Sequence, residues 1–479
     1  MTHITTEDYK TKAGQAAQNA TLQAALSGLQ ARLGKGTALA YQELPEGPEL
    51  RYKAHDIRMH AVNNLDVLLK QLAEKIRSQG GHVFFAEDGK SAVDYCLDIA
   101  RKHHVRLVVK GKSMVTEEIR LNHALIKDGI DVFETDLGEY IIQLAGENPS
   151  HILAPAIHKT RKDIGKLFSE KLNIPYTDDP PSLTKAARIA LREKFLSADM
   201  GISGCNLACA ETGHITTVSN EGNIRMASTL PKIHMVFMGM ERIVDSLKDF
   251  NILLRMLCRG ASAQKMATYV SQISGPALAD HLDGPQEFHL VILDNGRSRI
   301  LADRNFREML CCVRCGACLN VCPVYGKIGG HAYGHVYSGP VGAVVTPLLV
   351  GINRAKHLCQ GETLCGACQD ICPVNIDLPR MLLELRWKLA NGDADWQVQK
   401  ENHLEKAAYQ AWSLMIQNRR LYDISLEIIR LFQKTLPKKD NAIAWMPPPL
   451  SGWTSSRHMK PIAETSFSKR WKQLESDVK

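Results

Sequence analysis

Nine of the thirteen cysteines in this 479-residue chain fall between Cys311 and Cys372. The first group is Cys312, Cys315, Cys318 and Cys322, followed at once by Pro323, which makes a C-x-x-C-x-x-C-x-x-x-C-P run. The second group is Cys359, then Cys365, Cys368 and Cys372, followed by Pro373. It repeats the ending of the first, including the identical Cys-Gly-Ala-Cys at 315–318 and 365–368. A four-iron, four-sulfide cubane needs four thiolates aimed at one small volume. Two-residue gaps let a tight turn aim successive sulfurs inward, and Gly316 and Gly366 let the backbone pass close to the group they surround. Each proline then turns the chain away from its last cysteine. Two such runs specify iron–sulfur ligation, and therefore a protein that carries electrons. Paired C-x-x-C units can also hold structural zinc, but zinc needs neither the third cysteine nor the C-P ending. A disulfide framework is disfavoured by the length, the few cysteines elsewhere and the lack of a secretion signal.

In two-cluster ferredoxins the cysteine before the proline ligates the neighbouring cluster. The spacing therefore assigns Cys312, Cys315, Cys318 and Cys372 to one 4Fe-4S cluster, and Cys322, Cys365 and Cys368 to a second. The fourth ligand of the second is open, because the gap before Cys365 exceeds the standard two residues; Cys359 is the candidate. Cys311 adjoins a ligand and is expected to point elsewhere. Arg314, Lys327, Lys356 and His357 lie near the ligands in sequence, where they could offset a cluster's negative charge or simply face solvent.

The elements that must position these cysteines are legible as periodicities. Residues 1–80 read as helical, with Leu65, Leu68, Leu69, Leu72 and Ile76 on one stripe. From His82 strands alternate with helices. Strands are expected over His82–Ala86, Arg106–Lys110, Asp131–Glu134, Ile152–Ala154, Gly201–Ser203, Ile215–Val218, Lys232–Met238 and His289–Leu293. Helices are expected over Ser91–His104, Val115–Lys127, Thr160–Leu172, Leu183–Ser197 and Glu241–Cys258. Such alternation implies an α/β domain with a largely parallel sheet. The boundaries fall at 1–65 for an N-terminal helical segment, 66–300 for the α/β domain, 301–385 for an α-helical two-cluster ferredoxin-like domain and 386–479 for a C-terminal module. Pro447–Pro448–Pro449 and Ser451–Ser456 read as a linker or extended arm.

Composition is that of a globular protein, 44% hydrophobic and 23% charged. No apolar stretch reaches the ~18–20 residues that cross a bilayer, and Met1–Lys10 does not read as a signal peptide. The expected compartment is the reducing cytoplasm. Residues 380–479 carry 17 Lys and Arg against 11 Asp and Glu and hold all six tryptophans. That mixture fits a helical core with a protein interface; no nucleic-acid module is recognisable, so no nucleic-acid partner is expected.

In the α/β domain, Lys110-Gly111-Lys112-Ser113 joins a strand to a helix. It could bind an anion or be a plain turn, and it lacks the nucleotide P-loop pattern. Glu211, in Gly204–Gly213, and Glu221, in Asn220–Asn223, are candidate cleft residues or turn residues. Cys205 and Cys209 are too few for a cluster. No G-x-G-x-x-G follows a strand.

The whole chain resembles the lactate utilisation protein B family. The resemblance is carried by Lys112-Ser113-Met114-Val115, Thr135–Lys159 (TDLGEYIIQLAGENPSHILAPAIHK), Ala210-Glu211-Thr212-Gly213, Asn220–Asn223, both cysteine runs and Tyr337–Leu348 (YSGPVGAVVTPL). It implies a lactate-utilisation domain of CoA-transferase-like fold over 66–300, two 4Fe-4S clusters and a mainly helical C-terminal module. It maps the first cluster onto Cys312, Cys315, Cys318 and Cys372 and the second onto Cys322, Cys365 and Cys368, with the fourth ligand again open. The implied role is that of the iron–sulfur electron-transport subunit in a system oxidising L-lactate to pyruvate, part of an oxidoreductase complex rather than a complete enzyme. Two partners are implied, a cysteine-rich-repeat protein of the heterodisulfide-reductase type and a smaller protein built on the lactate-utilisation domain. The alternatives are a stand-alone CoA-transferase-like enzyme with structural clusters, using Glu211 or Glu221, and an iron–sulfur redox sensor.

Overall fold

The computed structural model describes residues 8–399 and 403–477, apart from Pro48, Leu282, Pro449 and Ser456. The start of Met1–Lys10 therefore lies outside the described residues. Between residues 82 and 293 the described chain forms ten strands: β1 (His82–Ala86), β2 (Leu107–Lys110), β3 (Asp131–Glu134), β4 (Met200–Gly204), β5 (Leu207–Cys209), β6 (His214–Ser219), β7 (Ile233–Gly239), β8 (Ile243–Val244), β9 (Tyr269–Ile273) and β10 (Glu287–Leu293). Strand β7 is IHMVFMG, buried at every position, and β10 is buried from Phe288 onward. Burial along the whole strand suits parallel strands covered on both faces. These two are neighbouring interior strands of a six-stranded sheet of order β1-β10-β7-β4-β2-β3, in which every neighbouring pair is parallel. The α/β expectation holds. One face is covered by the helix Leu65–Ser78, whose Leu65, Leu68, Leu69, Leu72 and Ile76 are all buried. Ala92, Cys96 and Ala100 of the helix Gly89–Lys102 pack into the core around β2 and β4.

Strands β5, β6, β8 and β9 form a second, mixed sheet of order β8-β5-β6-β9. Strands β5 and β8, of three and two residues, are too short to show a periodicity, and β9 lies outside the expected strands. One of them corrects the expected helix over Glu241–Cys258. Ile243 and Val244 are taken by β8, so the helix begins at Leu247, where the Ser246 hydroxyl accepts the Asp249 N–H. The expected helix over Val115–Lys127 is broken at Arg120, which adopts φ +56° between helices Met114–Glu118 and Leu121–Lys127. The expected strand at Ile152–Ala154 is absent. There the backbone N–H groups of Leu153 and Ala154 donate to His151 Nδ1 at 3.0 and 3.1 Å, which bends the chain instead of extending it.

The cysteine segment is built from short helices, among them Ala317–Val321, Gly339–Val350, Lys356–Gly361, Ala367–Asp370 and Leu378–Asn391. Its apolar core is continuous with that of the N-terminal helices and of the helix Leu247–Ser262. Residues 1–399 accordingly form one compact unit. This unit runs beyond the 385/386 boundary expected from composition. Trp396 belongs to it, with its ring edge against Phe306 and its indole N–H donating to Asp303 at 2.7 Å.

Residues 400–479 form a second unit. It holds helices His403–Gln417, Arg419–Phe432 and Phe467–Asp477 and a two-residue antiparallel pair, β11 (Lys438–Lys439) and β12 (Ala442–Ile443). The expected extended arm is folded back where it is described. Ser451–Thr454 is a helical turn, Ile443 bridges Met459, and Arg430 and Gln433 donate to the carbonyls of Ala463 and Ile462. Pro449 and Ser456 of that segment lie outside the described residues. No described helix is long and apolar enough to cross a membrane.

Candidate metal centres

Both cysteine runs share one local design. Arg314 and Leu364, each just before a Cys-Gly-Ala-Cys, adopt φ +55° and +56°. Gly316 and Gly366 follow at +77° and +85°, and the short helices Ala317–Val321 and Ala367–Asp370 begin immediately after. Two left-handed residues around the middle cysteine wind the chain tightly enough to turn consecutive thiols inward. Glycine supplies the second of them without steric cost.

The result is two cavities. The first is lined by Cys312, Cys315, Cys318 and Cys372. The second is lined by Cys322, Cys365 and Cys368. Seven of the eight predicted ligand positions are thus brought together in the predicted crossed pattern, each run lending its last cysteine to the other cavity. The eighth, Cys359, does not line the second cavity. It is buried in the helix Lys356–Gly361, and its thiol donates to the Lys356 carbonyl at 3.2 Å. Glu362 lines the second cavity instead. It is 7% exposed, accepts from the Tyr333 hydroxyl at 2.9 Å through Oε1, and accepts from the Cys322 thiol at 3.4 Å through Oε2. A search confined to cysteines passes over it, although it lies three residues before Cys365. Cys311 points away as expected, its thiol against Met59 Sδ at 3.2 Å.

The donor sets fit iron–sulfur clusters. Four thiols converge on the first cavity, and its lining is otherwise mostly apolar, including Val313, Val341 and Ile376. Gly260 keeps one wall open, since a Cβ there would come within 3.3 Å of Cys315 Sγ and 3.0 Å of Pro373. Burial pushes the Cys372 thiol up to about 11 and the Cys368 thiol up to about 12. Metal binding must therefore displace protons, as it does at thiolate sites in general. The two centres differ in access. Cys315, Cys318, Cys322, Cys368 and Cys372 are buried, whereas Cys365 is exposed.

The N-terminal helices supply the other half of the housing, a role that helical periodicity could not reveal. Arg51 donates to the carbonyls of Cys372 and Gln369 at 2.8 and 2.7 Å. Gln30 donates to the Cys322 carbonyl at 2.9 Å and Tyr41 to that of Ile371 at 3.3 Å. Arg58 is wholly buried and donates to the carbonyls of Cys311, Leu310, Ile243 and Glu241. Of the basic residues near the ligands, Arg314 has its side chain buried beside Cys312, its guanidinium 4.4 Å above the Tyr337 ring, while Lys327 and His357 are exposed.

Arg314 also belongs to a buried charge network joining the sheet to the cysteine segment. Arg297 grips Glu118 through two nitrogens at 3.0 and 2.9 Å and reaches Glu241 at 2.8 Å. The Tyr337 hydroxyl donates to Glu118 at 2.6 Å. Burial alone would raise the Glu118 carboxyl, but Arg297, Tyr337 and Asn295 outweigh it and hold that group at about 2.

The polar residues of the α/β cleft are already partnered. Lys110 and Glu134 end the paired strands β2 and β3 and form a buried ion pair at 2.7 Å. Lys112 meets Glu139 at 2.9 Å. Neither lysine stands ready as a bare anion site, so the turn reading of 110–113 is the better one. Burial, with the Glu139 charge, pushes the Glu117 carboxyl up to about 8, and burial with Asp136 pushes Glu221 up to about 7. Glu211 accepts the Leu247 N–H at 2.7 Å, and Glu221 accepts that of Leu137 at 3.2 Å. The two glutamates thus serve different helices.

The chain matches three sequence families in succession: the LUD domain over residues 69–293, the 4Fe-4S dicluster domain over 308–376, and the lactate utilisation protein B C-terminal family over 394–476. It is 44% identical to the lactate utilization protein B of Bacillus subtilis (strain 168), covering 98% of this chain and 96% of that one. It is 43% identical to the protein of the same name from Bacillus licheniformis, covering 98% and 97%, and 42% identical to that from Bacillus velezensis, covering 98% of each. A solved structure, a DUF162 family protein from Deinococcus radiodurans, aligns at 14% identity and a TM-score of 0.28 over 48% of this chain and 98% of its own.

Proposed function

The chain belongs to the lactate utilisation protein B family, and we propose that it is the electron-transfer component of a multi-protein system that oxidises L-lactate to pyruvate. It is a lactate-utilisation iron–sulfur protein, and the finer reading rests on one observation. Two thiol-lined cavities sit in one compact unit, each completed by a cysteine from the other run. Crossed ligation of this kind keeps two redox centres close together, which suits electron passage rather than a purely structural role.

A 4Fe-4S cluster bound in each cavity supplies reversible one-electron chemistry, so two together match the two electrons that lactate releases. The protein's own part is to hold and tune. Its levers are burial and hydrogen bonds to the sulfurs. The Arg314 N–H donates to Cys312 Sγ and the Tyr325 N–H to Cys322 Sγ, both at 3.4 Å. Exposure of Cys365 gives the second centre an edge at the surface through which a partner can exchange electrons. The six-stranded parallel sheet supports reading the domain over 66–300 as CoA-transferase-like. The partners are a cysteine-rich-repeat protein and a smaller protein with the same α/β domain. The second unit is the docking surface: it carries 14 Lys and Arg against 8 Asp and Glu, and Trp412, Trp445, Trp453 and Trp471 are each more than half exposed.

The test is anaerobic co-purification with both partners, followed by L-lactate addition. Bleaching of the brown cluster absorbance, dependent on both partners, is the expected result. Zinc in place of iron, or no bleaching in the complete assembly, overturns the proposal.

A further inference from the structure

We propose that the Glu362 carboxylate is the fourth protein ligand of the second centre, beside Cys322, Cys365 and Cys368. This inference rests on the two-cluster reading above and supplies the ligand which that reading left open.

The two runs superpose at a constant offset of 50 residues. Cys315, Cys318 and Cys322 recur as Cys365, Cys368 and Cys372. At the same offset Cys312 recurs as Glu362, and Cys359 is the counterpart of Met309, which is not a ligand. The backbone obeys the same offset. Cys312 follows the helix Arg307–Cys311 with φ −62° and ψ 122°; Glu362 follows the helix Lys356–Gly361 with φ −80° and ψ 150°. Two residues later both chains turn left-handed, at Arg314 and Leu364. Glu362 therefore leaves the backbone at the place from which Cys312 reaches the first cavity.

The side chain is held for the purpose. Tyr333 donates to Oε1 at 2.9 Å, which leaves Oε2 beside the Cys322 thiol at 3.4 Å, in the cavity that Cys365 and Cys368 also line. A carboxylate oxygen is an established type of iron ligand, harder than a thiolate. Binding through it gives the second cluster one iron that is more easily lost than the three held by sulfur. Carboxyl and thiol protons leave as the metal binds. Cys359 would have to abandon its helical position and its bond to the Lys356 carbonyl to take the role.

The test uses full-length protein prepared without oxygen, with iron, sulfide and electron paramagnetic resonance spectra measured for wild type, E362Q, E362A, E362C and C359S. Wild type should carry about eight iron. Glu362→Gln keeps the volume and a partner for Tyr333 but removes the anionic oxygen; it and Glu362→Ala should lose roughly one iron and give a three-iron signal on oxidation. Glu362→Cys recreates C-x-x-C-x-x-C and should restore the iron with an altered spectrum of the second centre alone. The first centre's signal, unchanged throughout, reports an intact fold. Wild-type iron and spectra in E362Q, a three-iron signal in C359S, or failure of E362C to rescue would overturn the assignment while leaving two clusters standing. About four iron in wild type would instead remove the two-cluster reading, and this ligand with it.

Discussion

Replacing Arg297 by methionine isolates the charge network that joins the sheet to the cluster segment. Arg297 and Glu118 are each 1% exposed. Breaking one member of a buried pair costs about 3–5 kcal/mol, because the other charge stays buried without compensation. The low end of that range applies here. Glu118 keeps the Tyr337 hydroxyl at 2.6 Å and the Asn295 amide at 2.7 Å, and Glu241 keeps Arg314 at 3.8 Å. The Glu118 carboxyl points the same way: Arg297, Tyr337 and Asn295 outweigh its burial and hold it well below the ordinary carboxylate value. That stabilisation is present above the ordinary value and lost as pH falls toward the folded one. The assay is urea unfolding of anaerobic protein near neutral pH, followed by tryptophan fluorescence. The midpoint should fall with little change in slope. In the variant the carboxyl is raised instead of lowered, so protonation relieves its burial and the deficit should narrow as pH is lowered toward 5. The first centre's spectrum should also shift, because Arg314 packs on Tyr337 beside Cys312. A loss below about 1 kcal/mol, or a deficit that widens on acidification, would show that Arg297 does not compensate Glu118.

Cys372→Ser should damage the centre held by Cys312, Cys315 and Cys318 and spare the one holding Cys365 and Cys368; spectroscopic loss of the latter would reverse the crossed assignment. Stability should decline as pH drops below about 6.5, because burial holds His151 and His234 down at about 3. Both are neutral in the folded state and protonate on unfolding, so unfolding should take up protons through that window; a pH-independent midpoint between pH 5 and 7 would contradict it. Truncation after Gln399, the end of the first compact unit, should leave iron content near that of the full chain while abolishing lactate-dependent electron transfer with the partners. Raised salt should slow association of the intact protein with them. Iron loss on truncation, or association indifferent to salt, would count against a docking role for the second unit.

The sequence by itself determined whatever depends on local spacing. The cysteine runs name their cofactor class because two-residue gaps and a following proline have few other uses. The alternation of strands with helices from His82 onward announces a parallel sheet, and the stripe from Leu65 to Ile76 announces a covering helix. Tertiary structure decided what spacing cannot encode. Strands as short as Ile243–Val244 exist only because a neighbour offers a ladder, and they displaced a helix that periodicity favoured. Arg51, Gln30 and Arg58 lie about 250–320 residues before the cysteine-segment carbonyls they hold, so their part in the cluster housing becomes visible only when the N-terminal helices pack against that segment. The lysines of 110–113 look like an anion site until folding places Glu134 and Glu139 against them. Glu362 has the same history: an ordinary residue in a search for thiols, it acquires meaning once the backbone angles of both runs coincide and its carboxylate lies against the Cys322 sulfur.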